Sequence, residues 1–189
     1  MGGEQSATSR RNFIKTAATG LAAITILPSN VVAGLGHTPP SSRLSIAAIG
    51  VGGVGFKNLN AMNGENIVAL CDVDRSYGLK AFRRWPAAVR YTDFRKMLEA
   101  EKNIDAVLIA APDHIHAHAA SMAMRLGKHV FVQSPMGHSV QEIRRMAQLS
   151  KSYPIVSQVG NTIASSDISR RVAEIIWKGD LGEIREVDV

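Results

Sequence analysis

Several common features are scarce in this chain, and each absence narrows its function. Cys71 is the one cysteine among 189 residues, so neither an intramolecular disulfide nor a CxxC metal pair can form. The 22 Lys and Arg residues face 16 Asp and Glu, for a net charge of +6, and no run of five or six like charges occurs. This pattern favours a solvated surface over a nucleic-acid partner. The apolar run before Pro28 is only about a dozen residues, too short for a stable membrane anchor.

The N-terminal segment has the order of an export signal. Residues 9–15 read Ser-Arg-Arg-Asn-Phe-Ile-Lys and resemble the twin-arginine motif. A weakly apolar stretch follows at 16–27, and Val31-Val32-Ala33 offers a small-residue cleavage site. We therefore predict a twin-arginine signal peptide at 1–33, a linker at 34–43 and a periplasmic mature protein. Because this route carries folded proteins, we expect a tightly held cofactor that is loaded before export.

The mature chain alternates short apolar runs with helical patterns. This alternation predicts a doubly wound parallel sheet, an α/β Rossmann domain over 44–165, with Cys71 in its core. The predicted strands are Leu44–Ile49, Ile67–Cys71, Val89–Tyr91, Asp105–Ala110, His129–Val132 and Ile155–Ser157. The predicted helices are Gly53–Met62, Arg75–Arg84, Phe94–Ala100 (capped by Asp93), a helix from a cap at Asp113 to Leu126, Val140–Ser150, and Asp167–Lys178.

The last segment, 166–189, is predicted to link to a further domain. The apolar positions of its helix, Ile168, Val172, Ile175 and Ile176, have the spacing of a core face. After Gly179, residues Glu183–Val189 alternate polar and apolar side chains, which predicts the first strand of that domain.

A glycine fingerprint follows the first strand. Gly50, Gly52 and Gly55 form G-x-G-x-x-G between a predicted strand and a predicted helix, which is the context of a dinucleotide-binding turn. We predict that Gly50, Val51, Gly52, Gly53, Val54 and Gly55 bind the cofactor, because the pyrophosphate meets the free N–H groups of the helix. Asp72, 22 residues after Gly50, is expected to accept hydrogen bonds from the ribose. Its charge favours NAD, while nearby Arg75 leaves NADP possible.

These stretches in this order resemble the glucose–fructose oxidoreductase / inositol dehydrogenase (Gfo/Idh/MocA) family from about Ser45 to Val189. The matching stretches are Ala48–Gly52, Leu70–Asp74, Tyr91–Phe94, Asp105–His116, Gly127–Val130, Gln158–Asn161 and Gly179–Ile184. The resemblance implies an NAD-binding domain of an enzyme that acts on a sugar, a polyol or a related compound.

The resemblance also implies roles for single residues. Ala111, Pro112 and His116 would lie along the nicotinamide half of the cofactor, and Gln158 and Asn161 would face the nicotinamide and the substrate. Where the family has Glu-Lys-Pro, this chain has Gln133-Ser134-Pro135. Gln133 keeps the ability to hydrogen-bond a ribose hydroxyl. Ser134 lacks the charge and reach of the family lysine, so the usual redox chemistry does not follow and the catalytic residues remain unknown.

Three histidines, His114, His116 and His118, have alternate spacing. On a strand they would share one face and suggest a metal site, whereas at the start of a helix their side chains diverge. The Pro112-Asp113 entry favours the helix, so we predict no metal site.

Three functions stay open. The first is the NAD-binding part of an exported sugar or polyol oxidoreductase, and the second is a nucleotide-binding module without catalysis. The third is an NAD-dependent glycoside hydrolase of the same family. Because the family's second domain carries most substrate contacts and the sequence stops at Val189, we expect a truncated chain that is inactive alone. A homo-oligomer is left open.

Overall fold

A computed structural model describes residues 42–161, 165–183 and 185–186. The predicted signal peptide and most of the predicted linker lie outside these ranges. The strands are β1 (Ser45–Ile49), β2 (Asn66–Cys71), β3 (Val89–Tyr91), β4 (Ala106–Ile109), β5 (His129–Gln133) and β6 (Ser157–Gly160). The helices are α1 (Gly53–Ala61), α2 (Leu79–Arg84), α3 (Phe94–Ala100), α4 (Asp113–Arg125), α5 (Val140–Ser152) and α6 (Asp167–Lys178).

Within the described residues the strands form one parallel sheet in the order β3-β2-β1-β4-β5-β6. The chain order reverses beside β1, which has β2 on one side and β4 on the other. This confirms the predicted doubly wound α/β fold. Ligands of such folds bind outside the carboxyl ends of the strands at this switch point.

The sheet separates two apolar cores, because successive side chains of a strand point to opposite faces. Ile46 and Ala48 of β1 pack with residues of α1 and α2, including Leu59 and Phe82. Ala47 and Ile49 pack on the other face with side chains of α3, α4 and α5, among them Met97, Met124 and Met146. Cys71 is buried in this second core, as predicted. Both faces of the central strands are therefore covered by helices.

Three predicted boundaries differ from the structure for reasons that the contacts show. Helix α2 begins at Leu79 rather than Arg75, because the Asp74 carboxylate accepts hydrogen bonds from the N–H groups of Ser76 and Tyr77 and forms a turn there. Strand β6 covers Ser157–Gly160 rather than Ile155–Ser157, since its register is set by pairing with β5.

The start of α4 also differs from the prediction, which placed the N-cap at Asp113. Its N-cap is Pro112, and Asp113 is the first helical residue rather than the cap. A carboxylate in the first turn still faces the positive end of the helix dipole, so Asp113 stabilises the helix from inside rather than from the cap position.

Helix α6 differs most from expectation. It covers Asp167–Lys178 and is ended by Gly179, as its sequence predicts. Ser166 caps its start, and none of its residues is buried. The predicted core face is instead exposed, with Ile168, Val172, Ile175 and Ile176 open to solvent. Of the predicted strand at 183–189, the described residues Glu183, Arg185 and Glu186 are not in a strand, and the others lie outside the described residues. In the part of the chain that the structure describes, no helix is long and apolar enough to cross a membrane.

Candidate functional site

The turn after β1 depends on two glycines. Gly50 has a φ of +77°, a conformation that L side chains rarely adopt, and its N–H donates to the Cys71 carbonyl at 2.9 Å. A Cβ at Gly50 would lie 2.5 Å from the Ala110 carbonyl oxygen, and a Cβ at Gly55 would collide with the Gly50 carbonyl oxygen. The turn and the first turn of α1 are therefore packed backbone against backbone.

Helix α1 begins without a side-chain cap. Gly52 is the N-cap residue and supplies no capping side chain, and the first turn contains no acidic residue. The Phe56 N–H donates to the Gly52 carbonyl at 3.3 Å, which leaves the N–H groups at the helix start without intrahelical acceptors. These donors and the helix dipole form an arrangement that suits an anion such as a diphosphate.

Asp72 ties the end of β2 to this turn. One carboxylate oxygen accepts a hydrogen bond from the Val51 N–H at 2.9 Å, and the other accepts one from the Asp74 N–H at 3.0 Å. A carboxylate has about four lone-pair positions, so Asp72 keeps acceptor capacity for a further donor. Its position beside the glycine turn matches that of a ribose-binding acid.

A cleft of about 350 Å³ opens beside Asp72, between the carboxyl ends of β1, β2 and β4. This volume lies in the usual range for ligand sites. Its lining brings together four of the predicted residues, namely Gly50, Asp72, Ala111 and Pro112. The glycine turn, the free helix donors and the cleft together fit a dinucleotide.

A charged pair lies at one side of the cleft, where Asp93 and Arg95 are part of its lining. Two guanidinium nitrogens of Arg95 donate to Asp93 at 2.8 and 2.9 Å, and the Arg95 N–H donates to the same carboxylate at 2.9 Å. These hydrogen bonds, that from the Arg95 side chain above all, lower the pKa of Asp93 to about 2. The carboxylate is therefore ionised and engaged with its own helix.

A second group of predicted residues lies at the carboxyl ends of β5 and β6. The Ser134 N–H donates to the Gly160 carbonyl at 3.1 Å, and Ser134 is exposed. Gln133 is buried against Gly160, and its side-chain oxygen has no hydrogen-bond partner in the described residues. Asn161 follows β6 and is exposed. The bond between Ser134 and Pro135 is cis.

His116 makes a side-chain contact with the Gln133–Pro135 turn. Its side chain is 2% exposed, and Nδ1 lies 2.6 Å from the Pro135 carbonyl oxygen, which requires an Nδ1–H donor. Nε2 is buried without a partner among the described residues. This places His116 behind the Gln133–Pro135 turn, and its direct contact with a cofactor stays a prediction.

The other two histidines of the series lie away from the buried His116, as the helix prediction required. His114 and His118 are exposed on α4, and His118 Nδ1 lies 3.1 Å from the His114 carbonyl oxygen. In the described part of the chain, no three His, Cys, Asp or Glu side chains are grouped to hold a metal ion. Gln158 pairs in register with Phe131 in the middle of β5, away from the carboxyl end where Ser134 lies.

Sequence reasoning missed Tyr77, Thr92 and Arg95. Thr92 and Arg95 line the cleft, and Tyr77 lies on the glycine turn. No local pattern distinguishes these residues from other surface positions, because their placement depends on how the turn before α2, the end of β3 and the start of α3 meet at one rim of the sheet.

The strand order, the glycine turn and the acid after β2 together define an NAD-binding Rossmann domain. Comparison with protein families agrees: residues 44–161 match the Gfo/Idh/MocA description "Oxidoreductase family, NAD-binding Rossmann fold". The chain belongs to the Gfo/Idh/MocA oxidoreductase family.

Similar proteins have several different activities. A glycosyl hydrolase family 109 protein of Solibacter usitatus is 30% identical over 165 residues, covering 77% of this chain and 37% of that protein. A 4-carboxy-2-hydroxymuconate-6-semialdehyde dehydrogenase of Sphingobium sp. is 28% identical over 149 residues, covering 77% and 47%. The crystal structure of myo-inositol 2-dehydrogenase from Lactobacillus plantarum superposes with a TM-score of 0.67 at 31% identity, covering 75% of this chain and 43% of that one. The chain thus spans less than half the length of these relatives.

Proposed function

We propose that this chain is the NAD-binding part of an exported oxidoreductase that acts on a sugar, a polyol or a related compound. The observation that carries the proposal is the glycine turn at Gly50. At the sheet's switch point this turn lies beside the Asp72 carboxylate and leads into a helix start that has no side-chain cap. Membership of the family supports the class of reaction. When bound, the nicotinamide supplies hydride-transfer chemistry.

The residues of this chain would bind and orient that cofactor. The N–H groups at the start of α1, from Gly52 to Gly55, would meet the diphosphate. Asp72 would accept hydrogen bonds from the adenosine ribose, and its charge opposes a 2′-phosphate. Arg75 and Arg90 line a neighbouring cleft of about 320 Å³ that Asp72 also borders, which keeps NADP as the second cofactor to test.

The nicotinamide half would lie along the carboxyl ends of β4 to β6. Ala111 and Pro112 would flank it, and Asn161 would lie on its substrate side. Gln133 has a buried carboxamide oxygen with no partner among the described residues, which supports a role as acceptor for a ribose hydroxyl.

Substrate turnover would need groups beyond these residues. Ser134 stands where the family has lysine, and a neutral hydroxyl is a poor proton acceptor without an activating base. The exposed apolar face of α6 supports a linking role, since a further domain could cover it. A nucleotide-binding module without catalysis is therefore the second candidate, favoured by Ser134.

A glycoside hydrolase is the third candidate, favoured by the similarity to a glycosyl hydrolase family 109 protein. Export is proposed from the twin-arginine pattern at residues 9–15, with the periplasm as the destination. A cofactor that is bound during folding would suit that route.

The decisive experiment is a calorimetric titration of the chain with NAD, NADH and NADP. We expect NAD and NADH to bind, and Asp72→Asn to weaken their binding by about tenfold or more, because a hydrogen bond to a charged acceptor is lost. Asp105→Asn is the matched control: Asp105 also accepts a backbone N–H, that of Ser45 at 2.7 Å, but at the other end of β1. Absence of NAD and NADH binding at millimolar concentration would contradict the proposal.

A further inference from the structure

The ring of Tyr77 lies directly on the phosphate-binding turn. A Cβ built on Gly52 would overlap the Tyr77 ring carbons, and one built on Gly53 would overlap the phenol oxygen. In this fold a pyrophosphate approaches the backbone of the second glycine through the space that a Cβ would fill in any other residue. Tyr77 therefore covers the surface that the cofactor's diphosphate has to reach.

The backbone around Tyr77 is fixed, whereas its side chain is not. The Tyr77 N–H donates to the Asp74 carboxylate at 3.0 Å, and the Asp74 N–H donates to Asp72 at 3.0 Å. Gly78 packs close to Val51, since a Cβ there would lie 3.1 Å from Val51 Cγ2. The loop is thus tied to the glycine turn at both sides of Tyr77, which keeps the ring within reach of Gly52.

The side chain itself is free to leave. Tyr77 is 63% exposed, and its hydroxyl makes no hydrogen bond with another described residue. Exposed side chains change rotamer in picoseconds to nanoseconds, so rotation of the ring is fast compared with cofactor binding. The ring therefore lowers the fraction of molecules in which the turn at Gly52 and Gly53 is uncovered.

We propose that Tyr77 is a steric gate of the phosphate-binding turn, which must leave Gly52 and Gly53 before a dinucleotide diphosphate binds. The proposal rests on NAD binding at this turn. The apparent affinity of a site that is open only part of the time is reduced by the open fraction. The gate therefore weakens dinucleotide binding and slows association, and it does so through the ring rather than through the hydroxyl.

Stopped-flow binding of NADH, followed by its fluorescence, tests the gate with two variants. Tyr77→Ala removes the ring, and we expect the association rate constant and the affinity to rise by about threefold to tenfold. Tyr77→Phe keeps the ring and is expected to stay within about twofold of the parent. Tyr153→Ala, at the end of α5 on the opposite rim, is the matched control and should change neither quantity. Circular dichroism checks that each variant is folded, and Tyr77→Ser repeats the truncation.

The outcomes separate the gate from the cofactor site. If the parent binds NADH and Tyr77→Ala associates with NADH at an unchanged or slower rate, the gate is overturned and the cofactor site stands. Faster association in Tyr77→Phe as well as Tyr77→Ala also overturns it, because the hydroxyl would then be responsible. Binding by Tyr77→Ala at NADH concentrations where the parent gives no stopped-flow signal supports the gate, provided that the parent binds in the calorimetric titration at millimolar concentration. Absence of binding by both overturns the site and the gate together.

Discussion

Cys71 shows how burial and neighbouring charge set the chemistry of one side chain. It is the last residue of β2 and lies in the core beside two carboxylates. Burial raises the pKa of its thiol to about 12, and the charges of Asp72 and Asp93 add to the effect. The thiol is therefore protonated near neutral pH, and protonated thiols are poor nucleophiles.

We predict that Cys71 resists thiol reagents while the chain is folded. At about pH 8, where an ordinary thiol is partly ionised, Ellman's reagent should react with the chain in urea but not with the native chain. Rapid native labelling, at a rate close to that of the unfolded chain, would show that the strand end is open.

His116 gives a second prediction at the residue scale. Because its Nδ1–H donates to the Pro135 carbonyl, His116→Leu removes the donor, whereas the smaller side chain in His116→Asn keeps an N–H in nearly the same place. We expect the leucine variant to lose about 1 kcal/mol of unfolding free energy, the usual net value of one hydrogen bond. It should also bind NADH more weakly than the asparagine variant, since the Gln133–Pro135 turn is no longer held.

Urea unfolding and NADH titration of the two His116 variants provide the measurements. Equal NADH binding by both would mean that the turn keeps its position without His116, and the histidine would then be a packing residue.

At the scale of elements, helix α3 has a start that depends on pH. Asp93 caps it, as its sequence predicts, by accepting the Arg95 N–H. Folding lowers the pKa of Asp93 from 3.8 to about 2. The ionised carboxylate therefore stabilises the fold above about pH 3.8, and this stabilisation is lost as the pH falls towards 2.

Asp93→Asn should expose this dependence. Asparagine also caps helices, so the variant loses the charge and keeps the cap. We expect the parent to be the more stable protein at neutral pH, and the difference in urea midpoint to shrink between pH 3.8 and about 2. A difference that stays constant over that range would assign the effect to geometry instead of charge.

Most elements follow from sequence, because their signals are local. Apolar runs predict the central strands, and Asp93 and Gly179 predict one helix start and one helix end. The misplaced start of α2 has another origin: Asp74 competes for N–H groups that a helix would otherwise use. The register of β6 depends on its neighbour β5, and no single-strand pattern contains that information.

The residues of the candidate site also fall into those that local sequence predicts and those that tertiary contacts place. Gly50, Gly55 and Asp72 are predictable, because a tight turn and a strand-end acid leave marks at fixed spacing. The Tyr77 ring on Gly52, the His116 contact with Pro135 and the Arg95 side of the cleft are tertiary. They bring together residues from different strands, helices and turns, so no spacing rule identifies them.

At the scale of the molecule, the apolar face of α6 stands apart from the two cores. Ile175 is exposed, whereas Leu59 of α1 is fully buried. A helix face with the spacing of a core but without a covering layer contributes little to the stability of the domain that carries it.

We therefore predict unequal costs for two substitutions. Ile175→Gln should change the unfolding free energy by less than about 0.5 kcal/mol, as surface substitutions usually do. Leu59→Ala should cost about 2–5 kcal/mol, because it leaves a cavity. Urea denaturation followed by circular dichroism measures both. A large cost for Ile175→Gln would mean that α6 packs on the domain in solution.

The parallel sheet also separates the molecule into a binding rim and a rear rim. Gly64 lies at the rear, between α1 and β2, where a side chain would meet nothing within 4 Å. Since Cys71 is buried, Gly64→Cys would provide a single reactive handle on the far side from the dinucleotide. A dye, a biotin or a sensor surface attached there would leave the cofactor entrance unobstructed, so the chain is suited to use as an oriented, immobilised reporter of NADH.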